Sequence, residues 1–262
     1  MKATVDIAYS LPRKILEYFR FRMKSGDRHD VHSPFTYALI EGALKKTVFD
    51  PEIEKSRSKL RKSNKIISVE DHGTGKSRKR KISDIAKGSL KRKKEAAKIA
   101  SICSYLKIRD VYELGTSLGI TTAYLSRAKD VESVITIEGS AEVLEIAKEQ
   151  WKNLNLENIT PILGDFDEHL PGLLSNTNRP TLYFIDGNHS YEASIRYFES
   201  IAAYTHEFAL LIFDDIYWSD GMKQAWEEII ASENVTLSID LFEFGMAFII
   251  PRMSKEHFIL RY

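Results

Sequence analysis

Two short runs in the C-terminal half hold the densest set of chemically active side chains, Asp186-Gly-Asn188-His189 and Asp214-Asp215. Three carboxylates brought to one place repel one another. A hard divalent cation, Mg²⁺ or Mn²⁺, relieves that repulsion with oxygen ligands and keeps positions open for a substrate. His189 follows Asp186 by three residues, and an imidazole can accept a proton at neutral pH. Each of these residues also has a structural alternative. An Asp can cap a helix or be solvated, and a His at a helix start can bond to backbone.

A second set lies upstream. Glu113-Leu-Gly115-Thr116-Ser117-Leu-Gly119 spaces its glycines as G-x-x-x-G, not as the G-x-G-x-x-G of dinucleotide sites. Glycine there lets the backbone turn tightly and approach a ligand. Glu138-Gly139 begins 19 residues after Gly119, and an acid at that place can accept from both hydroxyls of a ribose. Gly164-Asp165-Phe166 completes the set. Asp165 can accept from an adenine amino group, with Phe166 as an apolar wall, and it can also cap the helix that follows.

The elements that must position these residues alternate in type. From Gly88 onward, helix SLKRKKEAAKIASICSYLK leads to strand DVYELGT, helix TTAYLSRA, strand SVITIEG, helix AEVLEIAKEQWKNL and strand ITPILGD. Short helix DEHLPGLL, strand TLYFIDG, helix YEASIRYFESIAAY, strand FALLIFDD and helix GMKQAWEEIIAS follow, and VTLSIDLFEFGMAFIIPR reads as two strands joined by a turn. This alternation predicts an α/β fold with a mostly parallel sheet and a C-terminal antiparallel hairpin. Every chemical residue above then falls at a strand's carboxyl end, where such folds bind ligands. Residues 1–54 read as a helical extension, carried by ILEYFRFRM and PFTYALIEGALK. Residues 55–87 read as a basic arm or lid in which KIISVED alone indicates a short strand, and residues 88–262 as the catalytic domain.

Glu113 to Gly119, Glu138 and Asp165 in this order resemble the class I S-adenosylmethionine-dependent methyltransferases, with a Rossmann-like sheet, over about residues 109–262. The resemblance implies that Glu113, Gly115, Thr116, Ser117 and Gly119 lie by the methionine part of the cofactor. It implies Glu138 and Gly139 by the ribose, Asp165 and Phe166 by the adenine, and Asp186 at the edge of the same pocket. An Asp ending the fourth strand and Asp-Asp ending the fifth look like the metal-dependent O-methyltransferases. The following Met222-Lys223-Gln224-Ala225 is similar to enzymes that methylate sugar hydroxyls on antibiotics, and catechol-type enzymes share the layout with Asp-Asn for the pair. By that resemblance Asp186, Asp214 and Asp215 ligate Mg²⁺ or Mn²⁺, and His189 or Asp186 is the general base.

Composition sets the outer bounds. The chain has 262 residues and 43% hydrophobic content, enough to bury a large core. Cys103 is the only cysteine, so no internal disulfide forms, and its apolar surroundings predict a buried thiol. The first 20 residues are broken by charges and Pro12, so neither a signal peptide nor a spanning helix is expected, and the chain reads as cytoplasmic with no membrane partner. Residues 55–98 hold 17 Lys+Arg against 4 Asp+Glu, while the rest of the chain holds 21 against 33. That asymmetry keeps a rival open, an RNA or protein methyltransferase whose basic arm grips its substrate. The arm carries no aromatic residue for base stacking, which ranks nucleic acid second to a small hydroxylated molecule. A third reading is a non-catalytic S-adenosylmethionine-binding scaffold, which would not require the three carboxylates and His189. Other features fail as sites. His72-Gly-Thr-Gly75-Lys76-Ser77 has Glu70 where a phosphate loop needs glycine, and His29 and His32 lack zinc-site partners, which leaves their stretch as a substrate-facing loop or a solvated link. Trp151 and Trp226 fall on helix faces as core, and Trp218 falls near the expected site mouth.

Overall fold

The computed structural model describes residues 6–71, 76–174, 179–205 and 207–261. In chain order the elements are α1 (Leu11–Lys24), α2 (Pro34–Leu39), α3 (Pro51–Lys62), β1 (Ile66–Asp71), β2 (Lys76–Lys81), α4 (Ile82–Gly88) and α5 (Lys93–Leu106). Then come β3 (Asp110–Leu114), α6 (Ile120–Ser126), β4 (Ser133–Glu138), α7 (Ala141–Asn153), β5 (Ile159–Leu163) and α8 (Phe166–Leu173). The chain ends with β6 (Thr181–Ile185), α9 (Tyr191–Tyr204), β7 (Ala209–Asp214), α10 (Asp220–Ala231), β8 (Leu237–Asp240), β9 (Phe244–Ile249) and β10 (Glu256–Ile259). This is the mostly parallel, Rossmann-like α/β arrangement with a C-terminal antiparallel hairpin that the alternation predicts.

The chain divides into two compact units, Glu41–His169 and Met1–Ile40 with Leu170–Tyr262. In the first, β3, β4 and β5 lie side by side in parallel, with Glu113 opposite Thr136 and Glu138 opposite Leu163. The basic segment belongs to this unit, and it holds more regular structure than its composition indicates. β1 and β2 form an antiparallel hairpin between α3 and α4. The hairpin is fastened to the start of α7, where the Ser68 N–H donates to Glu142 (3.0 Å) and the Glu70 N–H to Ser140 Oγ (3.3 Å). β2, with the sequence KSRKRK, is an edge strand whose residues Ser77 to Lys81 are all exposed. Edge strands rich in cations resist pairing with another chain. Residues 72–75 of the phosphate-loop look-alike lie outside the described residues.

In the second unit the strand order is β10-β8-β9-β7-β6. β6 and β7 are parallel and every residue of both is buried. Their continuous apolar runs, TLYFI and ALLIF, have the composition of strands covered on both faces. β9 runs antiparallel to both β7 and β8. β10 was not expected from the sequence: its four residues pair in parallel with β8, and Leu260 bridges to Gly26. Cys103 is fully buried in α5, which pushes its thiol up to about 12. Trp151 and Trp226 are both core. Among the described residues no helix is long and apolar enough to cross a membrane.

Candidate active site

The loop between β3 and α6 is shaped by its glycines and tied by side chains. Gly115 (φ 108°) and Gly119 (φ 74°) take conformations that suit glycine. Gly119 also sits under Trp151, whose ring N–H donates to its carbonyl (2.9 Å) and whose Nε1 would lie 2.6 Å from an added Cβ. Glu113 is 1% exposed. Its Oε2 accepts from the hydroxyls of Thr122 (2.5 Å) and Thr136 (2.6 Å), while its buried Oε1 has no hydrogen-bond partner among the described residues. Burial raises this carboxyl to about 7, against the pull of the two hydroxyls. Thr116 and Thr136 share a second hydroxyl contact at 2.6 Å.

Glu138 closes the same loop from the next strand. Its Oε2 accepts from the Ser117 N–H (2.9 Å) and its Oε1 from the Ser140 N–H (3.0 Å). Gly139 is half-buried beside it. Asp165 accepts from the Asp167 N–H (2.8 Å) and so caps α8, with its side chain exposed and Phe166 half-buried next to it. His169 occupies the space that a Cβ on Gly164 would need.

The residues expected to do chemistry lie in the other unit. Asp186 follows β6 directly, and His189 Nε2 stands 3.9 Å from its Oδ1. Asn188 (φ 50°) turns the chain between them, and Ser190 caps α9 by accepting from the Ala193 N–H (3.4 Å). Asp214 is the last residue of β7 and is buried. Asp215 is left-handed (φ 51°), its N–H donating to Glu243 and its carbonyl accepting from the Trp218 N–H. The three carboxylates therefore stand where the sequence puts them along the chain. Among the described residues, however, no group of three or more His, Cys, Asp or Glu side chains gathers closely enough to hold a metal. Convergence of the trio, expected from strand ends alone, is not met by the side-chain positions here.

Residues that no local motif signals complete this region. The N-terminal segment is fastened to the turns after β6 and β7. Asp6 accepts from the Tyr191 N–H (2.7 Å) and from Ser219 Oγ (3.2 Å). The Tyr9 N–H donates to the Trp218 carbonyl and its hydroxyl to Asp220 (2.6 Å). Lys14 lies 4.1 Å from the Trp218 ring centre, and that ring is 6.2 Å from the ring of His189. Nearby, Tyr217 donates to the buried Asp240 (2.7 Å), and burial raises both groups.

Residues 112–216 match the model of a methyltransferase domain family. No curated protein matches the chain by sequence. Among solved structures it is similar to the O-methyltransferase TomG of Streptomyces achromogenes, which is involved in tomaymycin synthesis. The TM-score is 0.56 at 16% identity, over 78% of this chain and 92% of that one. An O-methyltransferase from Bacillus cereus gives a TM-score of 0.52 at 19% identity, over 62% and 83% of the two chains. A methyltransferase from Geobacter sulfurreducens gives 0.57 at 12% identity, over 83% and 97%.

Proposed function

We propose that the chain, whose residues 112–216 match a methyltransferase domain family, is an S-adenosylmethionine-dependent methyltransferase that methylates a hydroxyl oxygen of a small molecule with the help of a divalent cation. The observation that carries this reading is the placement of Asp186, Asp214 and Asp215 at the carboxyl ends of two neighbouring parallel strands, with His189 beside Asp186. TomG and the Bacillus cereus enzyme, whose folds this chain resembles, are O-methyltransferases, which favours oxygen as the methyl acceptor.

On this reading Glu138 accepts from the ribose hydroxyls, and Asp165 and Phe166 meet the adenine. Gly115, Thr116, Ser117 and Gly119 offer backbone to the methionine part, and Gly139 keeps the ribose side open. Glu113 acts on the loop through Thr122 and Thr136. Hard carboxylate oxygens suit Mg²⁺ or Mn²⁺, and Asp186, Asp214 and Asp215 are the residues that would hold it. The cation, when bound, supplies acidification of the substrate hydroxyl. His189 Nε2 takes the proton and Asp186 steadies the imidazolium that forms. The freed oxygen bonds to the methyl carbon as the carbon–sulfonium bond breaks, giving a methyl ether and S-adenosylhomocysteine. Position and electrostatics are the protein's contribution.

The test uses the full chain with methyl-labelled S-adenosylmethionine and a panel of catechols, phenols and hydroxylated sugars, with Mg²⁺ or with excess chelator. Label transfer that stops in chelator supports the reading, and undiminished transfer in chelator removes the cation. Methylation of RNA in place of the panel would favour the second reading, which draws on the exposed Arg78, Lys79, Arg80 and Lys81 of β2.

A further inference from the structure

α1 turns its apolar side outward. Leu11 (72% exposed), Ile15 (49%), Phe19 (61%) and Met23 (80%) recur every four residues and so line one face, continued backward by Ile7 and flanked by Leu16. The opposite face is the packed one. It buries Phe21 against Phe242 and Tyr217, and it buries Glu17 among Arg13, Arg20 and Lys223. Glu17 is the only carboxylate of α1, while Arg13, Lys14, Arg20, Arg22 and Lys24 are its cations. Helical spacing sets Arg22 within the apolar face, close to Leu11 and Ile15, and Arg20 at its margin. An exposed apolar row that carries Arg22 and is edged by Arg20, with the helix's one anion withdrawn and neutralised, is the pattern of a helix lying in a lipid–water interface. The 14-residue length of α1 fits an interfacial helix and not a spanning one.

We propose that α1 docks the protein on anionic lipid surfaces, with the Leu11–Met23 face entering the headgroup boundary and Arg20 and Arg22 meeting lipid phosphates. Charge decides between lipid and a second copy of the chain. A two-fold pairing through this face would bring Arg22 of one copy toward the same face of the other, with no carboxylate on α1 to answer it. An anionic bilayer supplies the missing charge across the whole face. The docking does not depend on which acceptor is methylated, because it uses a face that contributes no residue to the proposed chemistry.

The experiment is co-sedimentation of the full chain with vesicles of phosphatidylglycerol and phosphatidylcholine, against vesicles of phosphatidylcholine alone. Binding to the anionic vesicles only is expected. Ile15→Ser with Phe19→Ser should weaken it by at least about tenfold, since two apolar side chains lose their burial in lipid. Both positions are exposed, and unchanged circular dichroism will show that the variant folds. Arg22→Glu should weaken binding as well. Arg78→Ser with Arg80→Ser in the basic hairpin should leave it within about twofold. Absence of binding, or binding lost with the hairpin variant and kept in the α1 variant, overturns the proposal. So does a self-associating chain that ignores vesicles and becomes monomeric in the Ile15, Phe19 variant.

Discussion

The loop around Glu113 and Glu138 and the turns around Asp186 and Asp214 are built on different principles. The first is closed by neighbours in the chain: the bonds of Glu113 and Glu138 with Thr122, Thr136, Ser117 and Ser140 arise within residues 113–140, and Trp151 of the following helix adds one more. The second is finished from afar, by Asp6, Tyr9 and Lys14, some 200 positions away in sequence. On the proposed reading the first region holds the cofactor, and local spacing can encode such a pocket. An acceptor site that differs between enzymes can be rebuilt by changing a remote segment while the strand ends stay the same.

The largest expected effect falls on the second region. His189→Ala should lower methyl transfer by roughly 10²–10⁴, the usual worth of a general base, with cofactor affinity unchanged. Isothermal titration with S-adenosylmethionine beside turnover measurements separates the two. Full activity in the variant would return His189 to a structural role at the start of α9, and the contrast between the regions would shrink to one of packing.

The same contrast governs what the sequence discloses. The strands DVYEL, SVITIE, TLYFI and ALLIFD were legible because apolar runs of strand length alternate with helical periodicity. The glycine loop was legible because Gly115 and Gly119 stand where left-handed backbone is required. The order of Asp186, Asp214 and Asp215 along the strand ends was legible too, but their convergence was not. Spacing fixes where a side chain starts, and the left-handed turn at Asp215 helps decide where it goes. β2 was hidden because a strand exposed on both faces carries no alternation, and KSRKRK reads as a mere charge run. The contacts of Asp6 and Tyr9 have no local signal at all, since their partners lie in another part of the chain.

A middle-sized effect tests whether the first region is as self-contained as it looks. Burial holds the Glu113 carboxyl at about 7, above its ordinary 4.5. The folded state therefore keeps its proton where the unfolded chain has lost it. The contribution to stability is fully present below about 4.5 and is lost as pH rises through about 7, on the order of 3 kcal/mol. Glu113→Gln keeps an oxygen for Thr122 and Thr136 and removes the titration. Urea unfolding at pH 5 and pH 8 should give the variant a smaller difference than the wild type. An equal difference in both proteins would show that Glu113 is not the group that titrates.

The smallest effect is the most direct probe of the remote fastening. Asp6 accepts from the first N–H of α9 and from the Ser219 hydroxyl that caps α10. Gly221 is small at the place where a Cβ would collide with the Asp6 carboxylate. Loss of a helix-capping carboxylate costs about 1 kcal/mol, which for a chain of this size lowers Tm by roughly 2–4 °C. Asp6→Ala should show that loss, and Asp6→Asn, which keeps one amide oxygen, should recover part of it. Gly221→Ala should act through the same contact, so combining it with Asp6→Ala should cost less than the sum of the two changes. Strict additivity in that cycle would mean that Asp6 and Gly221 do not meet, and the turn after β7 would then owe nothing to the N-terminal segment at this point.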